Sequence, residues 1–263
     1  MDTLSLVIPA YNEKERIPAL LQTLETAPRV VEEAGLQLQE ILIVDDGSVD
    51  GTKQLLSQAA ATTPLLRPLL QFKDNRGKGA AVASGALEAK ADYVLIADVD
   101  LSTPLTELGK LVVAIRGGAD IAIGSRHVEG AEVDRGPAHR KLLGKAFNGA
   151  VRTFTGLDAR DTQCGFKLLP TSLARPLFAA QTCPGFAFDV ELLLRADTVG
   201  LSIVEVPVIY LHDSRSRVRV ASASWQMLKD VFGLSYRLRV RREAAVRGSE
   251  VPDSRRERVS THG

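Results

Sequence analysis

Two aspartates one residue apart, Asp98 and Asp100, follow a short apolar run at residues 93–97. Because both carboxylates leave the end of one predicted buried strand, they are placed to act on the same ligand. Carboxylate and phosphate oxygens suit Mg²⁺ or Mn²⁺, and such cations usually remain bound to substrate phosphates. By itself an Asp-x-Asp triplet is a weak signal, because such pairs also cap turns and helices. The pair is therefore a candidate metal site that needs support from the rest of the chain.

A second pair of acids, Asp45 and Asp46, closes the apolar run at residues 40–44 and is followed by Gly47 and Ser48. Asp and Gly favour a tight turn, and Ser48 is able to cap the next helix, so a purely structural interpretation exists. However, two adjacent acids at the end of a buried strand repel each other unless something compensates their charge. Ribose hydroxyls or a nucleobase amide that donate to a carboxylate would do so, which predicts nucleoside binding here.

The segment at residues 75–79, Asn-Arg-Gly-Lys-Gly, precedes an alanine-rich stretch with helical character. Its glycines permit close approach, the start of the helix offers free N–H groups, and Arg76 and Lys78 add positive charge. The segment is not a Walker motif, because Gly79 follows the lysine where that motif has Ser or Thr, and it is not a dinucleotide fingerprint either. These features predict an anion site.

Alternating strand and helix patterns must position these residues. Short apolar runs predict strands at residues 4–9, 40–44, 93–97 and 121–124, with a weaker strand at 65–72. Helical spacing of apolar residues predicts helices at 13–33, 52–62, 79–90 and 105–116. This alternation is typical of an α/β fold with a mainly parallel, Rossmann-like sheet and helices on both faces. In such sheets ligands bind beyond the carboxyl ends of the strands, where both acid pairs stand.

The second half of the chain is less regular. Helical patterns cover 139–155, 188–199 and 225–239, a strand pattern covers 203–211, and a loop at 161–169 leads into a strand. The last helix precedes a cluster of arginines. It would either lie at a membrane surface with its apolar face in lipid, or pack Trp225, Leu228 and Phe232 on the core. Both interpretations stay open here.

Composition limits the classes of function. With 263 residues, 45% of them hydrophobic, the chain suits one large domain with a substantial core. A net charge of +1 gives no general field for nucleic acid. Two cysteines, Cys164 and Cys183, are too few for a disulfide framework and fit a reduced, cytoplasmic setting. We expect no signal peptide and no membrane-spanning segment, because the start lacks a basic region and no apolar window is long enough. If a substrate is a lipid, it must then be met from the membrane surface.

The order and spacing of these segments resemble the family 2 glycosyltransferases. The resemblance rests on Val-Ile-Pro-Ala-Tyr-Asn-Glu at 7–13, Val-Asp-Asp-Gly-Ser at 44–48, Asn-Arg-Gly-Lys-Gly at 75–79 and Asp-Val-Asp at 98–100. Later segments are similar to the branch of dolichyl-phosphate glucosyltransferases and dolichyl-phosphate mannose synthases. They are Gly-Ser-Arg at 124–126, Arg-Lys at 140–141, Asp-Thr-Gln-Cys-Gly-Phe-Lys at 161–167 and Phe-Ala-Phe-Asp-Val-Glu-Leu at 186–192, and the last two resemble the glucosyl members more closely.

The resemblance implies a GT-A fold over residues 1–242, with a nucleotide-sugar-binding half at about 1–125 and an acceptor half at about 126–242. Residues 243–263 remain as a basic tail that we expect to be disordered. The resemblance also implies an inverting enzyme that moves a hexose, preferably glucose from UDP-glucose, onto dolichyl or polyprenyl phosphate, with Mg²⁺ or Mn²⁺ as cofactor. The product would be β-linked, and the enzyme would be attached peripherally to the membrane surface.

The resemblance assigns roles to individual residues. Those expected at the donor are Pro9, Tyr11, Glu13, Asp45, Asp46, Lys78, Asp98 and Arg217, and those expected at the acceptor phosphate are Arg126, Arg140 and Gln163. Asp98 and Asp100 are the expected metal ligands, and Ser102 stands where mannosyl members carry a metal-binding glutamine, so no third ligand is assigned. The candidate catalytic residues are Asp98, Asp100 and Asp161. Asp161 would either assist the reaction or anchor Arg126 or Arg140, because ion-pair networks resemble catalytic acids.

Three alternatives stay open. The first is a mannosyl enzyme that uses GDP-mannose, and the second is a family 2 transferase with a hydroxyl acceptor, which would need a general base. The third, from another class, is a sugar nucleotidyltransferase, which shares an α/β fold and an acid-bound metal. It is disfavoured because such enzymes usually open with a glycine-rich loop after the first strand, where this chain has Pro-Ala-Tyr-Asn-Glu at residues 9–13.

Overall fold

The computed structural model describes residues 1–63, 65–67, 69–134, 148–212, 227 and 229–237. Its strands are β1 (Thr3–Ala10), β2 (Gln37–Asp45), β3 (Leu70–Gln71), β4 (Tyr93–Ile96), β5 (Ile121–Ser125), β6 (Glu132–Val133), β7 (Lys167–Pro170), β8 (Ile203–Pro207) and β9 (Ile209–Tyr210). Its named helices are α1 (Ile17–Glu33), α2 (Thr52–Thr62), α3 (Lys78–Glu88), α4 (Leu108–Arg116), α5 (Thr171–Ala179) and α6 (Phe188–Thr198), with a 3₁₀ turn at Leu105–Glu107. Residues 148–155 and 229–237 are also helical.

Seven strands form one sheet in the order β3-β2-β1-β4-β7-β5-β8, and β6 and β9 form a separate parallel pair. All neighbours in the large sheet are parallel except β7, which runs antiparallel to both β4 and β5. The predicted mainly parallel α/β sheet is therefore confirmed. The register places Lys167 of β7 opposite Ile96 at the end of β4, two residues before Asp98.

Helices cover both faces of the sheet, and the inner strand β1 is accordingly apolar on both sides. Along β1, Leu6 and Ile8 enter one core and Val7 between them enters the other, as expected when successive side chains alternate. The first core also holds Leu20 and Leu24 of α1. On the other face, α3 packs so closely that a Cβ on Gly85 would lie 2.6 Å from Val7. This double burial explains why the strand is a continuous apolar run.

Helix α1 begins later than predicted, at Ile17 rather than residue 13. The intervening backbone bonds elsewhere, since the N–H of Glu13 donates to Thr52 Oγ1 at 2.8 Å. A proline in the first turn, Pro18, suits this start, because its missing N–H is not needed there. The predicted strand at 65–72 is confined to Leu70–Gln71, and the predicted helix at 105–116 opens with a 3₁₀ turn.

The second half contains two short elements that the pattern did not predict. Helix α5 follows β7 directly and contains Pro176, which obscured its pattern, and β6 has only two residues. The predicted strand at 203–211 is two strands, and the second of them, β9, pairs with β6. The predicted helices at 139–155 and 225–239 are described only over 148–155, 227 and 229–237, where the described residues are helical. The proposed tail at 243–263 lies outside the described residues.

Candidate active site

The loops after β1 and β2 are bonded into one unit at the carboxyl edge of the sheet. The N–H of Asp46 donates to the carbonyl of Ala10 at 2.8 Å. The N–H of Asn12 donates to Ser48 Oγ at 2.8 Å, and the N–H of Val49 donates back to Asn12 Oδ1 at 2.9 Å. Asn12 adopts a left-handed backbone (φ +54), which asparagine tolerates better than most residues. The two loops thus form a shared floor beside the acid pair.

The two acids that close β2 are both buried, but they have different partners. The carboxylate of Asp46 accepts the N–H groups of Arg76 and Gly77, at 2.7 and 2.9 Å, and the amide of Asn75 at 2.9 Å. Burial raises the pKa of Asp46, and the two backbone N–H groups only partly offset this effect. Asp45 accepts one bond, from the N–H of Ser48, and its Oδ2 is buried without a partner among the described residues. Asp46 therefore organises the loop before α3, whereas Asp45 keeps an oxygen free for a ligand's donor.

The glycines at the start of α3 contact protein backbone. A Cβ on Gly77 would lie 2.5 Å from the carbonyl oxygen of Pro184, and one on Gly79 would lie 2.6 Å from Phe188 Cβ. The N–H of Ala80 also donates to Pro184, at 3.0 Å. The helix start is thus partly occupied by the segment 183–188, and the Lys78 side chain is its main contribution to the edge of the sheet.

Asp98 is held on two sides. Its Oδ1 lies 2.6 Å from Lys78 Nζ, and a Cβ on Gly165 would lie only 2.2 Å from its Oδ2. Burial opposes the charge of Asp98, but the Lys78 ammonium, together with the charges of Lys167 and Arg126, outweighs this effect and holds the pKa of Asp98 below its usual value. Asp98 is therefore an ionised carboxylate in a fixed position.

Asp100 has more freedom than Asp98. Its Oδ1 accepts the N–H of Ser102 at 3.0 Å, across a turn in which Leu101 has a positive φ of 45°. Its second oxygen has no partner in the described part of the chain. Over the same residues, no group of three or more His, Cys, Asp or Glu side chains is gathered for a metal. Two carboxylates with a free oxygen nevertheless fit a divalent cation that takes its remaining ligands from phosphate and water.

Arg126 and Asp161 form a bidentate ion pair. Arg126 Nε and NH2 donate to the two carboxylate oxygens at 2.7 and 2.8 Å, and the backbone N–H of Arg126 adds a third bond at 2.9 Å. The guanidinium lies over the ring of Tyr210, 5.0 Å from its centroid. Burial alone would raise the pKa of Asp161, but Arg126 lowers it to about 2. The N–H of Asp161 is in turn bonded to Glu205 at 2.8 Å, so the pair is tied to β8.

The remaining predicted site residues are placed as follows. Pro9 is buried in β1, Tyr11 is 44% exposed, and Glu13 pairs with Arg16 at 2.8 Å. The amide of Gln163 contacts the sulfur of Met227. Arg140 and Arg217 lie outside the described residues, so their predicted roles stay predictions.

The structure gathers Asp45, Asp46, Lys78, Asp98 and Asp100 at one edge of the sheet. The charge of Arg126 acts on Asp98, so the Arg126–Asp161 ion pair lies next to these five residues.

A second buried ion pair was not among the predicted site residues. Lys167 Nζ donates to Asp189 Oδ1 and, at 2.5 Å, to the carbonyl of Cys164, and both charged side chains are almost fully buried. The available signal was a charged residue within an apolar stretch, both at the start of β7 and at the start of α6. In each case the charged group is buried away from water, so it requires a partner of opposite charge.

Comparison with known proteins shows which family this chain resembles. The family model described as Glycosyl transferase family 2 matches residues 5–176. The chain is 37% identical over 225 residues to the dolichyl-phosphate beta-glucosyltransferase ALG5C of Trichomonas vaginalis, covering 82% of this chain and 66% of that protein. It is 32% identical over 210 residues to the polyprenol monophosphomannose synthase of Mycolicibacterium smegmatis, covering 78% of this chain and 76% of that protein.

A solved structure supports the fold. The glucosyl-3-phosphoglycerate synthase of Mycobacterium tuberculosis, crystallised with Mn²⁺, UDP and glucosyl-3-phosphoglycerate, aligns with a TM-score of 0.65. The alignment covers 89% of this chain and 80% of that chain at 18% sequence identity. At that identity the similarity concerns the architecture alone.

Proposed function

The chain belongs to glycosyl transferase family 2 and has the GT-A fold, and on this premise we propose that it transfers glucose from UDP-glucose to dolichyl or polyprenyl phosphate. The choice of acceptor and sugar is supported by the similarity to the Trichomonas dolichyl-phosphate beta-glucosyltransferase over most of this chain. The free oxygen of Asp100 supports a divalent cation, and a structural neighbour with the same architecture was crystallised with Mn²⁺ and UDP.

The observation that carries the proposal is the arrangement of Arg126. Two of its nitrogens are engaged by Asp161, while NH1 has no partner among the described residues, and about a quarter of the side chain is exposed. A guanidinium held in this way keeps a second N–H edge for two oxygens of a phosphate. Because the ion pair already holds the arginine side chain in one conformation, binding of the acceptor phosphate would cost less conformational entropy.

The acceptor phosphate needs orientation rather than deprotonation. The second pKa of a phosphate monoester is about 6, so at neutral pH the group is mostly a dianion and already nucleophilic. One of its oxygens attacks the anomeric carbon, the bond from that carbon to the diphosphate breaks, and UDP leaves with the electron pair. No proton has to be removed. Asp161, buried and paired with Arg126, is accordingly proposed as the anchor of that arginine and not as a general base.

The donor would lie on the opposite side of the reacting carbon. Asp98 and Asp100 would hold a divalent cation, which neutralises the charge of the departing diphosphate. Lys78, fixed by Asp98 at 2.6 Å, adds a positive charge at the same place. Asp45, with its unpartnered Oδ2, and the exposed ring of Tyr11 would contact the nucleoside. Attack from the side away from the diphosphate inverts the configuration and converts an α-linked donor into a β-linked product.

A donor and acceptor panel tests the function. Purified protein is incubated with Mn²⁺ and polyprenyl phosphate, and with radiolabelled UDP-glucose, GDP-mannose or UDP-GlcNAc in separate reactions. We expect label in the lipid fraction from UDP-glucose, and none when free polyprenol replaces the phosphate. Label mainly from GDP-mannose would favour the mannosyl alternative. Its specific support is the 32% identity to the polyprenol monophosphomannose synthase of Mycolicibacterium smegmatis. Label on free polyprenol would favour a hydroxyl acceptor and contradict the proposed role of the phosphate.

A pair of matched variants tests the role of Arg126. Arg126→Lys keeps the charge but loses the planar fork, so kcat/KM for the lipid phosphate should fall on the order of tenfold or more, while KM for the donor changes little. Arg160→Lys is the control, because that neighbouring arginine is exposed. Equal losses in both variants would remove the argument for phosphate binding by Arg126.

We further propose that the enzyme meets its lipid substrate through the helical residues 148–155 and 229–237. In the part of the chain that the structure describes, none of the helices has both the length and the apolar composition that a bilayer-spanning segment requires. On the second helix, Val231 and Leu234 are buried, whereas Phe232 and Tyr236 are 60% and 68% exposed. Phe232 stacks edge-to-face on Phe154, which is itself 43% exposed. The core and the exposed aromatic surface thus use different faces of one helix.

The exposed aromatic surface of Phe154, Phe232 and Tyr236 suits the headgroup region of a bilayer, where aromatic rings are favoured. Trp225 and Leu228, which the sequence also suggested, lie outside the described residues, as do the arginines after residue 237. We expect co-sedimentation with anionic liposomes that decreases in the double variant Phe232→Ser/Tyr236→Ser. Val113→Ser, at an exposed position of α4, is the control and should bind normally. Absence of binding by the unaltered protein at low salt would contradict this surface.

A further inference from the structure

Four charged side chains form a cluster behind the proposed cation site. Lys78 and Asp98 form one ion pair at 2.6 Å, and Lys167 and Asp189 form a second. The second pair is almost completely buried, with 0% and 4% of the two side chains exposed. Neither Lys167 nor Asp189 has a role in the proposed reaction.

The two ion pairs interact electrostatically with each other. Lys78 interacts with the charge of Asp189 as well as with that of its partner Asp98. Lys167, the partner of Asp189, also interacts with the charge of Asp98. The fold creates this arrangement because the antiparallel strand β7 lies between β4 and β5 and brings Lys167 opposite Ile96. Asp189 comes from the first turn of α6. Burial raises the pKa of Asp189, and the ammonium groups of Lys167 and Lys78 oppose this effect. With both acids ionised, the cluster contains two positive and two negative charges and is neutral as a whole.

Neutrality has a consequence for the cation site, because an uncompensated charge in a poorly solvated place acts strongly on its neighbours. If Asp189 lost its charge, Lys78 and Lys167 would share Asp98 as their nearest acid. The cluster would then be positive. Both lysines would compete with a divalent cation for Asp98 and would repel it from Asp100.

We propose that Asp189 is a positioning residue that, together with Lys167, balances the charge around Asp98 and so keeps Asp98 and Asp100 able to bind a divalent cation. The inference rests on the proposed function in one respect, since it takes these two aspartates as the cation ligands. It goes beyond that function by giving a buried ion pair, to which the proposed reaction assigns no substrate contact, control over affinity for the cation.

Mn²⁺ binding to the full chain tests the proposal without any measurement of transfer. The electron paramagnetic resonance signal of free Mn²⁺ is titrated with protein in the presence of UDP. Asp189→Asn should weaken Mn²⁺ binding on the order of tenfold, the effect of one unit charge in a partly solvated site. Lys167→Gln should not weaken it, because it removes a positive charge. The charge-balanced double variant Lys167→Gln/Asp189→Asn should bind within about threefold of the unaltered protein, since removing both partners of a buried pair is often tolerated.

A purely structural role of the Lys167–Asp189 pair predicts a different pattern of Mn²⁺ affinities, because loss of either residue would then weaken binding.

Glu191→Gln is the matched control. Glu191 is a fully buried acid two residues further along α6, and it bonds Thr182, Cys183 and Arg195 rather than a member of the cluster. We expect this variant to unfold at a lower temperature with unchanged Mn²⁺ affinity.

Two results would overturn the proposal. One is unchanged Mn²⁺ affinity in Asp189→Asn, and the other is equal weakening in both single variants and the double variant. If the unaltered protein itself binds no Mn²⁺ in the presence of UDP, the cation site of the proposed function is at fault, and the two failures are thereby distinguished.

Discussion

A methyl group added at Gly165 would collide with the carboxylate of Asp98. The added Cβ would lie 2.2 Å from Oδ2 and 2.4 Å from the carboxylate carbon. The backbone of Gly165 is not in the left-handed region, so alanine is conformationally allowed there and the collision is its main effect. Gly165→Ala therefore tests whether the reaction requires the observed position of the Asp98 carboxylate.

The expected magnitude follows from the overlap. Non-bonded heavy atoms at their optimal separation are about 3.5 Å apart, so the carboxylate must retreat by roughly 1 Å. Its retreat is opposed by Lys78, which holds the other oxygen at 2.6 Å. A displacement of about 1 Å of a group that positions the reacting atoms costs on the order of 10²-fold in rate. We expect kcat for sugar transfer to fall by about that factor.

The assay measures two quantities for each protein, the kcat at saturating donor and acceptor and the melting temperature. Gly109→Ala, on α4, is the control, because a Cβ there meets nothing within 4 Å. It should leave kcat unchanged and stabilise the helix by at most about 1 kcal/mol. If Gly165→Ala retains the kcat of the unaltered protein, the fixed position of Asp98 is not needed for the reaction, and the argument from this contact is wrong.

Three further predictions concern the cation, the donor and the pH dependence of stability. Chelation of divalent cations, or Asp100→Ala, should abolish transfer without unfolding; full activity in excess chelator would exclude the cation role. Asp45→Asn should weaken UDP binding in calorimetry and leave the loop before α3 in place, whereas Asp46→Ala should also loosen that loop, seen as faster hydrogen exchange at Arg76 and Gly77. Identical exchange in the two variants would argue against this division. The pKa of Asp161 is lowered to about 2 in the fold, below its value of about 3.9 in an unfolded chain, so its stabilising effect is present above about pH 4 and lost as pH falls toward 2. Asp161→Asn should therefore lower the free energy of unfolding by about 3 kcal/mol at pH 6 and by much less near pH 2; a pH-independent loss would contradict it.

The sequence predicted the first half of the fold and the meeting of the acid pairs, for a simple reason. β1, β2 and β4 are neighbouring parallel strands, so residues that end each of them come together at one edge. The apolar runs mark those strand ends within one or two residues. Local pattern and parallel topology together were sufficient to bring Asp45 and Asp98 to the same edge.

Contacts that depend on distant segments were not predictable in this way. Gly77 and Gly79 were expected to admit a ligand, but they contact Pro184 and Phe188, which arrive more than a hundred residues later. The Lys167–Asp189 pair depends on the insertion of β7 as an antiparallel strand, and no local spacing indicates its direction. The two roles left open for Asp161 differ only in side-chain geometry, which the sequence does not contain.

The configuration of the product tests the central claim most directly. Protein is incubated with UDP-glucose, Mn²⁺ and dolichyl phosphate, and the coupling of the anomeric proton in the purified glycolipid is measured by NMR. Direct attack by the phosphate held at Arg126 predicts a β-linked glucosyl phosphate from the α-linked donor. An α-linked product would contradict a single displacement, and a glucosylated lipid without the phosphate linkage would contradict the proposed acceptor.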